Sequence, residues 1–164
     1  MKFWVIAAKY GPNETRKVIE WGADIDKQNQ DGHAAIHYAA GQGKVENVKV
    51  LLEHKSNINI RNKWGDSPLH LATQTNRLNV IRFLVESFCD ITFRGDEDRT
   101  AAEWAKAIGR HPETIEYLAK EAPALQRFVQ TPPPRVDGKE HPEHVGAATR
   151  AVLRDIYATG HLPI

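Results

Sequence analysis

The chain has 164 residues, 41% of them apolar and 26% charged, a balance that suits one globular domain with a tail and excludes disorder throughout. Net charge is +1: up to Ala122, 17 basic residues offset 17 acidic ones, and beyond it 5 stand against 4, so neither part carries the basic footprint that nucleic-acid binding needs. The single cysteine, Cys89, excludes an intrachain disulfide framework and a cysteine-based zinc site and suits a reducing, cytoplasmic setting, while the longest apolar run, residues 3–8, is too short to insert in a membrane.

In chain order, the first predicted helix opens with Phe3-Trp4-Val5-Ile6, and Trp21 ends the second. Register places Trp4 and Ile6 toward the core and leaves Phe3 and Val5 spare, so the N-terminal end is expected to be apolar. Either a partner covers it or the first residues bury it. Asp31-Gly32 and Trp64-Gly65 follow as turn signals, each with a glycine free to take positive φ. Between and after them run three segments that start 33 residues apart: Ala34 to Ala40, Ser67 to Thr73, and Thr100 to Lys106. Ala39, Ala40 and Ala72 are small enough for two helices to pack closely. Pro68 suits a first helical turn and Ser67 its cap. Downstream, Val48, Leu51 and Leu52 form one helical stripe, and residues 48–52 recur at 81–85. Ala7 to Gly11 and Ala23 to Asp26 repeat the pattern with one residue missing.

The run Ser67-Pro68-Leu69-His70-Leu71-Ala72 and the ending Gly22-Ala23-Asp24-Ile25-Asp26 resemble the ankyrin repeat, whose period is also about 33 residues. The resemblance covers residues 1–122 and implies an all-α solenoid of about four helix-loop-helix repeats with β-turn tips, at 1–28, 29–61, 62–94 and 95–122. The fourth copy departs most: Asp98 stands where glycine is usual, Glu103 where histidine is usual, and one extra residue precedes Pro112. It is expected to be a cap with a distorted turn. One unit cannot bury its apolar stripe alone, but a stack of three or more can.

After Ala122 the period is lost, and residues 123–164 form a C-terminal extension. Pro123 to Val129 reads as a short helix, Thr131 to Arg135 as an extended proline run, and Pro142 to Tyr157 as one amphipathic helix with Val145, Ala148, Val152 and Ile156 on its apolar face. That helix either caps the last repeat or docks on another chain.

No phosphate loop, catalytic triad order or zinc-protease motif is present, so neither catalysis nor a cofactor is expected. His141 and His144 make at most two metal ligands, too few for a site. His37 and His70 fall where the resemblance implies a structural histidine that bonds the neighbouring turn. The resemblance also implies a non-catalytic adaptor or scaffold subunit of a larger complex that binds a protein through its concave face and turn tips, with the C-terminal arm as second contact. The alternative is a regulatory or targeting domain that cooperates with an enzyme, such as a ubiquitin-ligase-type adaptor. Carried over by register, the candidate contacts are Gln30, Asp31, His33, Lys63, Trp64, Asp66, Glu97 and Arg99 from the turns, Lys9, Tyr10, Gln42, Gln74 and Thr75 from the first helices, and Arg61 and Arg94 between repeats. Trp64 stands out, because a turn tip does not itself demand an indole and tryptophan is among the residues that dominate interface energy.

Overall fold

A computed structural model describes the backbone of residues 2–130 and the side chains through residue 127. The proline run, the helix expected over 142–157, His141 and His144 lie outside the described residues. Among the described residues the chain is all helix and turn, with no strand.

Helices come in pairs. The first pair is α1 (Phe3–Lys9) and α2 (Pro12–Glu20), the second α3 (Ala35–Gly41) and α4 (Val45–Glu53), and the third α5 (Pro68–Gln74) and α6 (Leu78–Glu86). In the fourth, α7 (Ala101–Ile108) is followed by α8 (Pro112–Glu116), a π-turn over Tyr117–Glu121 and α9 (Ala122–Gln130). Successive first helices pack on one another, α1 on α3, α3 on α5 and α5 on α7, and the second helices form an outer layer. Ala35, Ala39, Ala40 and Ala72 keep the inner layer close, since each is fully buried and carries one methyl. Ile36, Leu51, Leu69, Ile81 and Leu84 fill the space between the layers, and each fully buried side chain of that size contributes roughly 1.5–3 kcal/mol. One continuous apolar cluster runs from Phe3 to Leu125.

Three local features differ from the sequence expectation. In α1 it is Phe3, with Ile6 and Ala7, that is buried, while Trp4 is only partly covered. Positions i, i+3 and i+4 share a helical face, and α1 takes that stripe rather than the one centred on Trp4. Ser67 precedes Pro68 at the start of α5 as expected, but its hydroxyl meets His70 Nδ1 at 2.9 Å instead of a backbone N–H of the first turn. The short helix expected from Pro123 is the end of a longer helical run from Pro112. The wider π-turn precedes Pro123, a proline that leaves the carbonyl four residues back without its N–H partner and crowds it. Leu125 is buried, and Gln126 Nε2 donates to the Cys89 carbonyl, which ties α9 to the end of α6.

The fourth turn is distorted. Its 3-10 stretch Asp96–Asp98 has Glu97 and Asp98 at φ 56° and 55°. Asp98 stands one period after Gly65 and takes the left-handed backbone that Gly32 and Gly65 take at 76° and 85°.

A concave groove over Leu71

The second and third turn tips are each built around one asparagine. Asn62 Oδ1 accepts from the N–H groups of Trp64 and Asp66 at 3.0 and 2.9 Å, and Asn29 Oδ1 does the same for Asp31 and His33 at 3.0 and 2.9 Å. A side chain that bonds its own backbone two and four residues on holds a tight turn, so Trp64 is presented from a rigid tip. The tips are then joined. Lys63 N–H donates to the Asp31 carbonyl at 3.1 Å, and the Lys63 ammonium meets the Asp31 carboxylate. Gln28 Nε2 donates to the carbonyls of Gly32 (2.6 Å) and Arg61 (2.8 Å). Arg61, one period later, donates to those of Gly65 (3.0 Å) and Arg94 (2.8 Å). Arg94 repeats the move toward Asp98 and reaches Glu103 at 3.3 Å.

Two histidines lock the stack beneath the tips. His37 Nδ1 accepts the Ala34 N–H at 3.0 Å, and its Nε2 donates to the Asp66 carbonyl at 3.1 Å. His70 accepts from Ser67 N–H at 3.2 Å and donates to the Arg99 carbonyl at 3.1 Å. One nitrogen faces a donor and the other an acceptor, so the neutral Nε2–H form is required. Burial pushes His37 down to about 4 and lowers His70 as well.

A groove of about 410 Å³ opens on the concave side, lined by His33, Asn62, Trp64, Asp66, Leu71, Gln74, Asp96, Trp104 and Ile108. Its origin is a difference in size. Tyr38, Leu71 and Trp104 stand one period apart on α3, α5 and α7, and leucine is the shortest of the three, so the column is notched at its middle. Trp64 is 45% exposed at one wall, its ring 5.7 Å from His33 and beneath the Lys63 ammonium at 4.4 Å. Trp104 carries the Arg99 guanidinium at 5.5 Å, and Arg99 pairs with Glu97 at 2.9 Å. Burial lowers the His33 pKa against the pull of Asp31 and Asp66, which leaves its ring an uncharged neighbour for Trp64.

Of the residues singled out in the sequence, His33, Trp64, Asp66 and Gln74 meet in this groove. Asp66 is not a free tip. It is 5% exposed, and its Oδ1 accepts the Asp96 N–H at 2.9 Å in space left by Gly95, where an added Cβ would stand 2.0 Å away. Asp31, Lys63, Glu97 and Arg99 form ion pairs along the rim, Arg61 ties its turn to the next, Arg94 braces its own turn at Asp98 and Glu103, and Gln30, Gln42 and Thr75 are exposed. Lys9 is exposed at the end of α1. Tyr10 lies elsewhere, in a recess of about 200 Å³ with Ile6, Glu14, Lys17, Val18 and Trp21, the last 80% exposed. Asn62, Leu71, Asp96 and Trp104 were not singled out. The register 38, 71, 104 was the available signal, but it identifies a notch only once that column is known to face the groove.

Among the described residues no group of three or more histidine, cysteine, aspartate or glutamate side chains is placed to hold a metal, and no helix is long and apolar enough to cross a membrane. The family profile described as Ankyrin repeats (3 copies) matches residues 4–95 and 56–128. No curated protein matches the chain.

Proposed function

The chain belongs to the ankyrin-repeat family, whose repeats are in general protein–protein interaction modules, and from that premise we propose that it is a non-catalytic adaptor or scaffold subunit that grips a protein partner in the groove between Trp64 and Trp104. The observation that carries this reading is the half-exposed Trp64 on a turn tied down by Asn62 and by the neighbouring turns. A large, rigid aromatic side chain is the type of group that anchors interfaces, because little conformational freedom is lost when it is covered. Around it the rim charges are paired with one another, which leaves the aromatic groove as the distinguishing surface. The C-terminal arm, residues 123–164, is proposed as the second contact, on the strength of its sequence pattern.

The test compares tagged full-length protein with its Trp64→Ala variant for what each retains from native lysate, read by mass spectrometry, with circular dichroism as the control for folding. A partner held by the parent and lost by the folded variant supports the groove. The same partner held equally by both removes it.

A further inference from the structure

The second and third repeats treat one hydrogen bond differently. Asn29 Nδ2 donates to the Tyr38 hydroxyl at 2.9 Å. One period on, the same two places hold Asn62 and Leu71. Asn62 keeps its turn-building role, but its Nδ2 is buried and has no partner. Native proteins rarely leave a buried donor so, because an unmade bond there costs the desolvation of the group. By register the missing hydroxyl belongs beside Leu71, and both Asn62 and Leu71 line the groove.

We propose that this notch is a pocket for a tyrosine side chain of the protein partner, which rests on the reading of the concave face as a protein-binding surface. The ring takes the place in the column that Tyr38 fills in the repeat before, flanked by Trp64, Trp104 and Ile108. Its hydroxyl oxygen accepts from Asn62 Nδ2. Its proton has the Asp66 carboxylate nearby, whose Oδ2 holds only a long contact from Gln74 at 3.4 Å. The volume of about 410 Å³ lies within the range of side-chain and ligand pockets. Other occupants fit less well. A phenylalanine leaves the amide unpaired. A carboxylate or phosphate meets Asp66 and Asp96. A lysine or arginine brings no acceptor, and each indole already has a cation over it. The Asn62 nitrogen is closed to water in the unbound fold, so the side chains packed around it give way as the hydroxyl enters.

The experiment titrates N-acetyl-L-tyrosinamide into the ¹⁵N-labelled full chain and follows the Asn62 side-chain amide and the Trp64 and Trp104 indole N–H signals by NMR. These signals shift, and N-acetyl-L-phenylalaninamide binds about five-fold more weakly, the share of one hydrogen bond. Leu71→Tyr supplies the hydroxyl from within and abolishes the response; Leu71→Phe, which only fills the notch, abolishes it too and serves if the tyrosine variant misfolds. No shift with tyrosinamide, equal affinity for both amides, or a response that survives in a folded Leu71 variant overturns the assignment. If Trp64→Ala loses a captured partner while tyrosinamide moves nothing, the pocket assignment alone fails. If tyrosinamide shifts these signals but no partner depends on Trp64, the adaptor reading fails instead.

Discussion

His37 of the second repeat donates its Nε2 proton to the carbonyl of Asp66 in the third turn, 3.1 Å away, while its Nδ1 accepts the N–H of Ala34 in its own turn. His70 spans the next pair of repeats in the same way. One period later stands Glu103, whose carboxylate accepts the Thr100 N–H at 2.8 Å and whose own N–H donates to Thr100 Oγ1 at 3.3 Å. A carboxylate can close the local cap but has no proton to pass on. The substitution thus falls in the last of the described turns, where among the described residues no further turn waits to receive that proton.

This arrangement makes stability fall in acid. An unfolded histidine takes up its proton near pH 6.5, but His37 in the fold only near pH 4. Between those values the unfolded chain binds more protons, so the contribution is complete above about pH 6.5 and is lost as pH falls toward 4. The shift corresponds to about 3 kcal/mol, and His70 and His33, lowered in the same direction by burial, add to it. Urea unfolding at about pH 7 and about pH 4.5 measures the effect. A midpoint that does not fall on acidification contradicts the neutral-histidine lock.

Arg61 offers a test of which residues hold the turns and which are free for a partner. Its guanidinium donates to Gly65 and Arg94 as Gln28 donates to Gly32 and Arg61 one repeat earlier. Arg61→Gln is therefore expected to keep the stability of the parent, because an amide already does this work. Arg61→Ala is expected to lose about 1 kcal/mol, the scale of the net hydrogen bonding removed. Denaturant titration of both variants decides it, and an alanine variant as stable as the parent assigns Arg61 to the solvent instead.

Gly32 is required by close approach as well as by φ. At φ 76° a Cβ would lie 2.7 Å from the Lys63 backbone nitrogen and 3.0 Å from the Asn62 Cα. Gly32→Ala adds a backbone collision to the roughly 1–2 kcal/mol of left-handed strain and is expected to cost more than about 2 kcal/mol. Gly22→Ala is the control. Its φ is 92°, nothing stands within 4 Å of the added carbon, and Lys55 and Phe88 hold positive φ at the equivalent places. Its cost stays near that of strain alone, so thermal melts separate the two substitutions by several degrees.

The solenoid was legible because its signals repeat: the 33-residue spacing of Ala34, Ser67 and Thr100 aligns the small residues of the inner helices with the leucines of the outer ones. What lies between repeats was not. Asp66 reads as a polar tip and is buried, because Gly95 in the next turn leaves room for its carboxylate. Arg61 and Arg94 read as candidate partner contacts between repeats, and their guanidinium groups bond backbone carbonyls of the fold. Leu71 reads as ordinary helix packing, yet its shortness beside Tyr38 and Trp104 makes the groove. Asp66 and Arg61 depend on the distance between two turns, a quantity that no single repeat encodes.

Trp64 and Trp21 give the decisive pair for the binding surface. Both are exposed indoles, at 45% and 80%, but they stand in different settings. Trp64 is held beside His33 and Lys63 at the wall of the larger groove, whereas Trp21 follows α2 beside the smaller recess with Tyr10. A pre-positioned ring surrounded by other lining groups can be fully desolvated by a partner, which is the condition for a dominant contact. Trp64→Ala is therefore expected to weaken partner affinity by at least about 2 kcal/mol, or roughly thirty-fold, with little change in unfolding midpoint, since the ring is half in water already. Trp21→Ala is expected to leave affinity within about two-fold of the parent. Isothermal titration of the captured partner against both variants reads the difference. A loss confined to Trp21→Ala moves the interface from the concave groove to the recess formed by α1 and α2, because greater exposure alone, rather than a prepared setting, would then have selected the anchor.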